Sequence, residues 1–161
     1  MKTLSKPFTL VAVGGTFDEF HKGHRTLLEK AFEVGKRVQI GLCSDDFAQK
    51  LEKPHSIAPF AVRLEELKSY LLKRGWLERA EIVPLYDAFG PAATSRQIEA
   101  IVVSQETEQG AREINEKRKA SRLFPLEIVA IGMVLAENSN PISTTRIRSL
   151  EIDREGKLLK K

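Results

Sequence analysis

Residues 14–28 read GGTFDEFHKGHRTLL, and the fold is decided by how this stretch is read. It follows the apolar run FTLVAV of residues 8–13. A short continuous apolar run closed by glycines reads as a buried strand. Beyond the glycines, Leu27, Leu28, Ala31 and Phe32 recur at helical spacing, which predicts a helix over Lys22–Val34 with Gly35 as its stop. The first turn of a helix favours acidic residues, because the macrodipole is positive there. Here the first turn carries Lys22, His24 and Arg25 instead. That points to an anionic ligand as the missing negative partner.

The same alternation continues outward. Residues 37–43, RVQIGLC, read as a second strand, and Ser44-Asp45-Asp46 as the cap of a short helix. LEKPHSIAP, residues 51–59, has two prolines and no period and is expected to be a loop, with His55 exposed on it. A helix follows over Phe60–Arg74, with Leu64, Leu67 and Leu71 on one face and Gly75 after it. Further strands are expected at residues 80–84, 98–103 and 126–131. Residues 87–95 read as a loop with a helical turn, residues 108–121 as a polar helix, and a last helix begins near Ser143. Helices alternate with strands that are continuously apolar. Both features point to an α/β fold with a five-stranded, mostly parallel sheet covered by helices on both faces. One domain over residues 1–161 is expected, with the charged tail EIDREGKLLKK, residues 151–161, as a peripheral solvated end.

The bulk numbers fit this. A chain of 161 residues, 42% hydrophobic and 30% charged, can bury a core without staples. Its one cysteine, Cys43, forbids an internal disulfide and suits a reducing cytoplasm; it is expected to be a small buried apolar residue. No apolar run approaches the ~20 residues of a membrane span. The first apolar run leads straight into the glycine motif, so it is not expected to be a signal peptide. The net charge of +4 is mild. Lys117-Arg118-Lys119 lacks interleaved aromatics and reads as a solvated helix face, so no nucleic-acid partner is expected.

Ligands of open parallel sheets bind beyond the carboxyl ends of the strands, where Gly14 and Gly15 stand. Two glycines let the backbone turn tightly and let a ligand approach closely. The helix start behind them aims free N–H groups at an anion. His21 and His24 lie within one turn, so both side chains can face one pocket. The dinucleotide fingerprint GxGxxG and the phosphate loop GxxxxGK[ST] are both absent. HKGH does not have the HExxH spacing, and the lone cysteine lies elsewhere, so no zinc site is expected. Asp18 and Glu19 are candidates either for magnesium or for a turn.

The H-x-G-H arrangement after a strand and a glycine pair resembles the nucleotidylyltransferase superfamily, whose second signature reads ISxTxxR near the C-terminus. Here PISTTRIRS spans residues 141–149. Ser143 suits an N-cap, and Arg146 again puts a cation into a first helical turn. GLCSDDFAQK, IAPFAVRLEELKSYL, EAIVVSQET, AREINEKR and PLEIVAIGMVLAENSNPISTTRIRS together narrow the resemblance to the archaeal and eukaryotic type of phosphopantetheine adenylyltransferases, over residues 8–156.

This resemblance implies a Rossmann-like nucleotidylyltransferase fold. The reaction it implies is ATP plus 4′-phosphopantetheine, giving dephospho-coenzyme A and pyrophosphate with Mg²⁺. It implies that Gly14, Gly15, Thr16 and Phe17 form the ATP-binding turn, with Thr16 also orienting the nucleophilic phosphate. His21 and His24 would bind nucleotide phosphates, with His24 the transition-state stabiliser. Ser143, Thr144, Thr145 and Arg146 would close the triphosphate site. A catalytic, substrate-binding lysine is implied after the second strand, either Lys50 or Lys53. A monomer is expected. Competing readings are a glycerol-3-phosphate cytidylyltransferase-like or nicotinamide mononucleotide adenylyltransferase-like enzyme, or a nucleotide-binding module without catalysis.

Overall fold

The computed structural model describes residues 7–51, 57–132, 147 and 153–158. Five strands form one sheet: β1 (Phe8–Gly15), β2 (Gly35–Cys43), β3 (Ala80–Leu85), β4 (Ala100–Val103) and β5 (Glu127–Ala130). Their order is β3-β2-β1-β4-β5, and every neighbouring pair is parallel. The chain builds outward from β1 to β3, returns to the other side of β1, and builds outward again. The direction of winding therefore reverses between β1 and β4, which opens a crevice at their carboxyl ends.

The continuous apolar runs are explained by burial on both faces. Successive side chains of a strand point to opposite sides. Val11, Val13, Val38, Ile40, Ala100 and Val102 pack on one face, under α1 (Lys22–Val34) and α3 (Phe60–Arg74). Ala12, Ile101 and Val103 pack on the other, with Ala111 and Ile114 of α4 (Glu108–Ala120). The α1 stripe is the expected one, with Leu27, Leu28, Ala31 and Phe32 all buried. Each of these leucine and phenylalanine side chains contributes roughly 1.5–3 kcal/mol by leaving water.

The element ends show where local chemistry rules and where it does not. Ser44 caps the short α2 (Asp45–Lys50) by accepting from Phe47 N–H at 3.2 Å. Gly75 ends α3 in the left-handed region, φ +72°, which favours glycine. Gly35 does end α1, as its C-cap with its N–H donating to Ala31 O, but not in the left-handed region. Its φ of −114° is extended, and β2 begins directly from α1. A Cβ there would lie 2.8 Å from Val11 Cγ2, so glycine is needed for close strand packing. Arg79 satisfies the carbonyls left at that helix end, donating to Phe32, Gly35 and Lys36.

Two further expectations are corrected. Lys117-Arg118-Lys119 is not wholly solvated: Arg118 is buried and donates to the carbonyls of Phe124, Ala92 and Ser95, tying α4 to the 3₁₀ turn Gly90–Ala93. Nor do residues 153–158 form a free end. Arg154 O accepts from Lys22 N–H at 2.9 Å, Glu155 pairs with Arg25, and the Arg154 guanidinium reaches Glu19 and Glu66. Asp153 curls the segment into a turn by accepting from the N–H groups of Glu155 and Lys157. Hydrogen bonds to the open first turn of α1 hold the tail there.

Candidate active site

The site begins where β1 runs out. After Gly15 the backbone enters a tight turn in which Phe17 (φ +52°) and Glu19 (φ +48°) both lie in the left-handed region. That region is unfavourable for a bulky residue and needs support from its surroundings. Burial supplies the support. Phe17 is 1% exposed, and its ring packs 5.2 Å from His24 and 6.4 Å from Phe20. The Phe17 side chain is therefore part of the core, and only its backbone is free to serve a ligand.

His21 is the N-cap of α1, and the two histidines cap each other's backbone. His21 Nδ1 accepts from Gly23 N–H at 3.0 Å, and His24 Nδ1 accepts from His21 N–H at 3.1 Å. The rings stack with centroids 3.7 Å apart. This pattern fixes the tautomers: a neutral imidazole that accepts at Nδ1 carries its proton at Nε2. It also explains the intervening glycine. A Cβ on Gly23 would lie 2.8 Å from His21 Cε1. Burial pushes the His21 pKa down from 6.5 to about 4, helped by the positive charges of Arg25 and Arg154. His21 is thus an uncharged donor at neutral pH.

These groups line one cavity of about 780 Å³, a volume suited to a nucleotide-sized ligand. Gly14, Gly15, Thr16, Phe17, His21 and His24 border it on the β1–α1 side. Ser104 and Thr107, between β4 and α4, border it opposite, across the point where the winding reverses. Lys50 is exposed in the last turn of α2 and does not line the cavity, although its neighbours Phe47 and Leu51 do. Lys53, His55, Ser143, Thr144, Thr145 and Arg146 lie outside the described residues. The two carboxylates after the turn are engaged by the protein. Asp18 is buried and accepts from Ala58 N–H at 3.1 Å, and Glu19 pairs with Arg154. Among the described residues, no three His, Cys, Asp or Glu side chains form a group able to hold a metal. The backbone N–H groups of Lys22, Gly23 and Arg25 in the first turn of α1 are taken within the protein, by Arg154 O, His21 Nδ1 and His21 O. The donors this helix start presents to the cavity are therefore the imidazole Nε2–H groups rather than the free helix N–H groups expected from the sequence.

The comparisons with known proteins bear on this geometry. The cytidylyltransferase-like family model matches residues 12–150. Over 158 residues the chain is 46% identical to the phosphopantetheine adenylyltransferase of Methanothermobacter thermautotrophicus, covering 98% of this chain and 94% of the relative. The chain belongs to the phosphopantetheine adenylyltransferase family. A second member, from Thermococcus gammatolerans, is 42% identical over 98% of this chain and 99% of its own length. A solved structure of a protein of unknown function from Archaeoglobus fulgidus shares the fold, with a TM-score of 0.69 and 34% identity over 77% of this chain and 89% of that one. As a phosphopantetheine adenylyltransferase family member, the chain is a nucleotidyltransferase, and the cytidylyl and nicotinamide mononucleotide alternatives are not favoured.

Arg63 belongs to the site as well, although no motif in the sequence marks it. It is 1% exposed and held by four hydrogen bonds at the base of the turn. One signal was available: Arg63, Leu67 and Leu71 are spaced by four, which puts a charge on the apolar stripe of α3.

Proposed function

We propose that this chain, acting as a single domain over residues 1–161, transfers the adenylyl group of ATP to 4′-phosphopantetheine. The products are dephospho-coenzyme A and pyrophosphate. A phosphate oxygen of the acceptor attacks the α-phosphorus; the new P–O bond forms as the bond to pyrophosphate breaks. The acceptor phosphate is already ionised at neutral pH, so no protein base is required. What the reaction needs is alignment and stabilisation of charge on the α-phosphate.

The observation that carries this reading is the imidazole pair with both Nδ1 atoms tied to backbone. Each ring then presents a proton at Nε2, and the rings border the cavity together with the Gly14–Thr16 turn. His24 is assigned the transition-state contact and His21 a phosphate contact. Thr16, with Lys50 or Lys53, is assigned to the acceptor phosphate, and Ser143, Thr144, Thr145 and Arg146 to the triphosphate. Magnesium belongs to the nucleotide: Mg²⁺ is usually held by substrate phosphates, and Asp18 and Glu19 are already occupied by Ala58 and Arg154. No helix among the described residues is long and apolar enough to cross a membrane, and we assign the enzyme to the cytoplasm as a monomer.

Pyrophosphate release tests the reading. ATP and CTP are each offered with 4′-phosphopantetheine, nicotinamide mononucleotide and glycerol 3-phosphate. Release with ATP and 4′-phosphopantetheine is expected. Release only with CTP and glycerol 3-phosphate overturns the assignment.

A further inference from the structure

The parallel pairing of β1 with β2 ends with Gly15 opposite Leu42. One residue past this last β1–β2 pair lie Thr16 O and Cys43 O, Cys43 being still paired with Leu85 of β3. One group takes both. Arg63 Nη1 donates to Thr16 O at 3.0 Å and to Cys43 O at 2.8 Å. Its Nε donates to Ala58 O at 2.7 Å, and its Nη2 to Asp45 Oδ1 at 3.0 Å. A guanidinium has five N–H donors in a rigid fork, so it can hold several acceptors at fixed angles as an ammonium cannot. Asp18 completes the arrangement by accepting from Ala58 N–H, so both polar groups of Ala58 are fastened to it.

The consequence lies on the other side of one peptide plane. In a trans peptide the C=O and the following N–H point in opposite directions. With Thr16 O drawn down to Arg63, the N–H of Phe17 points away from Arg63. Thr16 and Phe17 line the cavity; Arg63 does not. Among the described residues nothing accepts a hydrogen bond from Phe17 N–H. The left-handed φ of Phe17 is the cost of this orientation.

We propose that Arg63 is a positioning residue for the adenylyl transfer. By pinning Thr16 O and Cys43 O beneath the turn, it aims the Phe17 N–H into the cavity as a fixed donor for a nucleotide phosphate. This rests on the function proposed above only for the identity of the reaction. The donor itself recognises any nucleoside triphosphate.

The test uses the full chain, with Arg63→Lys beside Arg79→Lys. Arg79 also binds several carbonyls, but at the Gly35 end of β2, away from the cavity. The Phe17 amide resonance is followed by ¹⁵N NMR during titration with α,β-methylene-ATP and MgCl₂, and turnover is measured with ATP and 4′-phosphopantetheine. In the parent the Phe17 amide moves on titration. In Arg63→Lys that response is lost, and kcat falls roughly 10²-fold, as for loss of one preorganised donor, while the KM for the acceptor stays within about threefold. Arg79→Lys loses thermal stability but keeps the Phe17 response and kcat. An Arg63→Lys enzyme with parental kcat, or one with reduced kcat and an intact Phe17 response, overturns the proposal. If Arg63→Lys does not fold, the parent decides alone: a Phe17 amide indifferent to the analogue overturns it. A parent that binds the analogue through Phe17 yet turns over no 4′-phosphopantetheine refutes the function reading and leaves the role of Arg63 standing.

Discussion

His21 should make the folded protein sensitive to acid at a pH where carboxylates alone would not. Its pKa falls from 6.5 to about 4 on folding, chiefly because burial disfavours the imidazolium. The unfolded chain therefore takes up a proton as pH falls through 6.5, while the native state resists until about pH 4. A group with a depressed native pKa contributes stability above its unfolded pKa, and that contribution drains away as pH falls toward the native value. At ~1.4 kcal/mol per tenfold, the interval corresponds to about 3 kcal/mol. His21→Asn is the reference, because asparagine is a strong N-cap whose side-chain oxygen can accept from Gly23 N–H without titrating. Urea unfolding of both proteins is measured from about pH 7.5 down to about pH 4. Losses from carboxylates are common to the two and cancel in the difference. The parent should lose about 3 kcal/mol more than the variant, with most of the change below pH 6.5. Burial precedes the Arg25 and Arg154 charges among the causes, so 0.5 M KCl should leave most of the difference in place. Parallel stability curves for parent and variant would refute the reasoning.

Other expectations concern single groups. His24→Ala should lower kcat by ~10²–10³ while changing the affinity for ATP far less, as read by steady-state kinetics and calorimetry; unchanged turnover removes His24 from the reaction. Gly23→Ala gains up to ~1 kcal/mol of helix propensity, but its Cβ meets His21 Cε1 at 2.8 Å. Thermal melting should thus stay near the parent while kcat falls at least ~10-fold through a displaced imidazole. Arg118→Met leaves the carbonyls of Phe124, Ala92 and Ser95 without their donor. It should cost roughly 3 kcal/mol or more in urea unfolding; a loss below about 1 kcal/mol would mean that water replaces the guanidinium.

The fold was legible because its determinants are local. Apolar runs mark the strands, the spacing of Leu27, Leu28, Ala31 and Phe32 marks α1, and Ser44 and Gly75 mark ends by their own conformational preferences. The glycine–histidine motif was legible for the same reason, since its capping bonds join residues two and three apart. Arg63 and Arg118 were not. A charged side chain is buried only where enough carbonyls converge, and two of the three that Arg63 binds come from positions 20 and 47 residues away. The packing of Phe17 was hidden likewise, because a loop phenylalanine can be a lid or a core residue and only the tertiary fold decides. Gly35 was legible as the stop of α1 but not as a close strand contact with Val11, because glycine serves helix stops and tight strand packing equally well.

The tail has a bearing on the order of events during synthesis. Lys22 emerges from the ribosome early, yet the acceptor for its N–H is Arg154, and the anion beside Arg25 is Glu155. The central strand and the helix bearing both imidazoles can thus assemble before their entrance is trimmed to its final form. A nascent chain lacking those late residues has an unfinished helix start, with Arg25 still without the carboxylate of Glu155. The same helix start is thus completed by groups from far along the chain, Arg154 and Glu155.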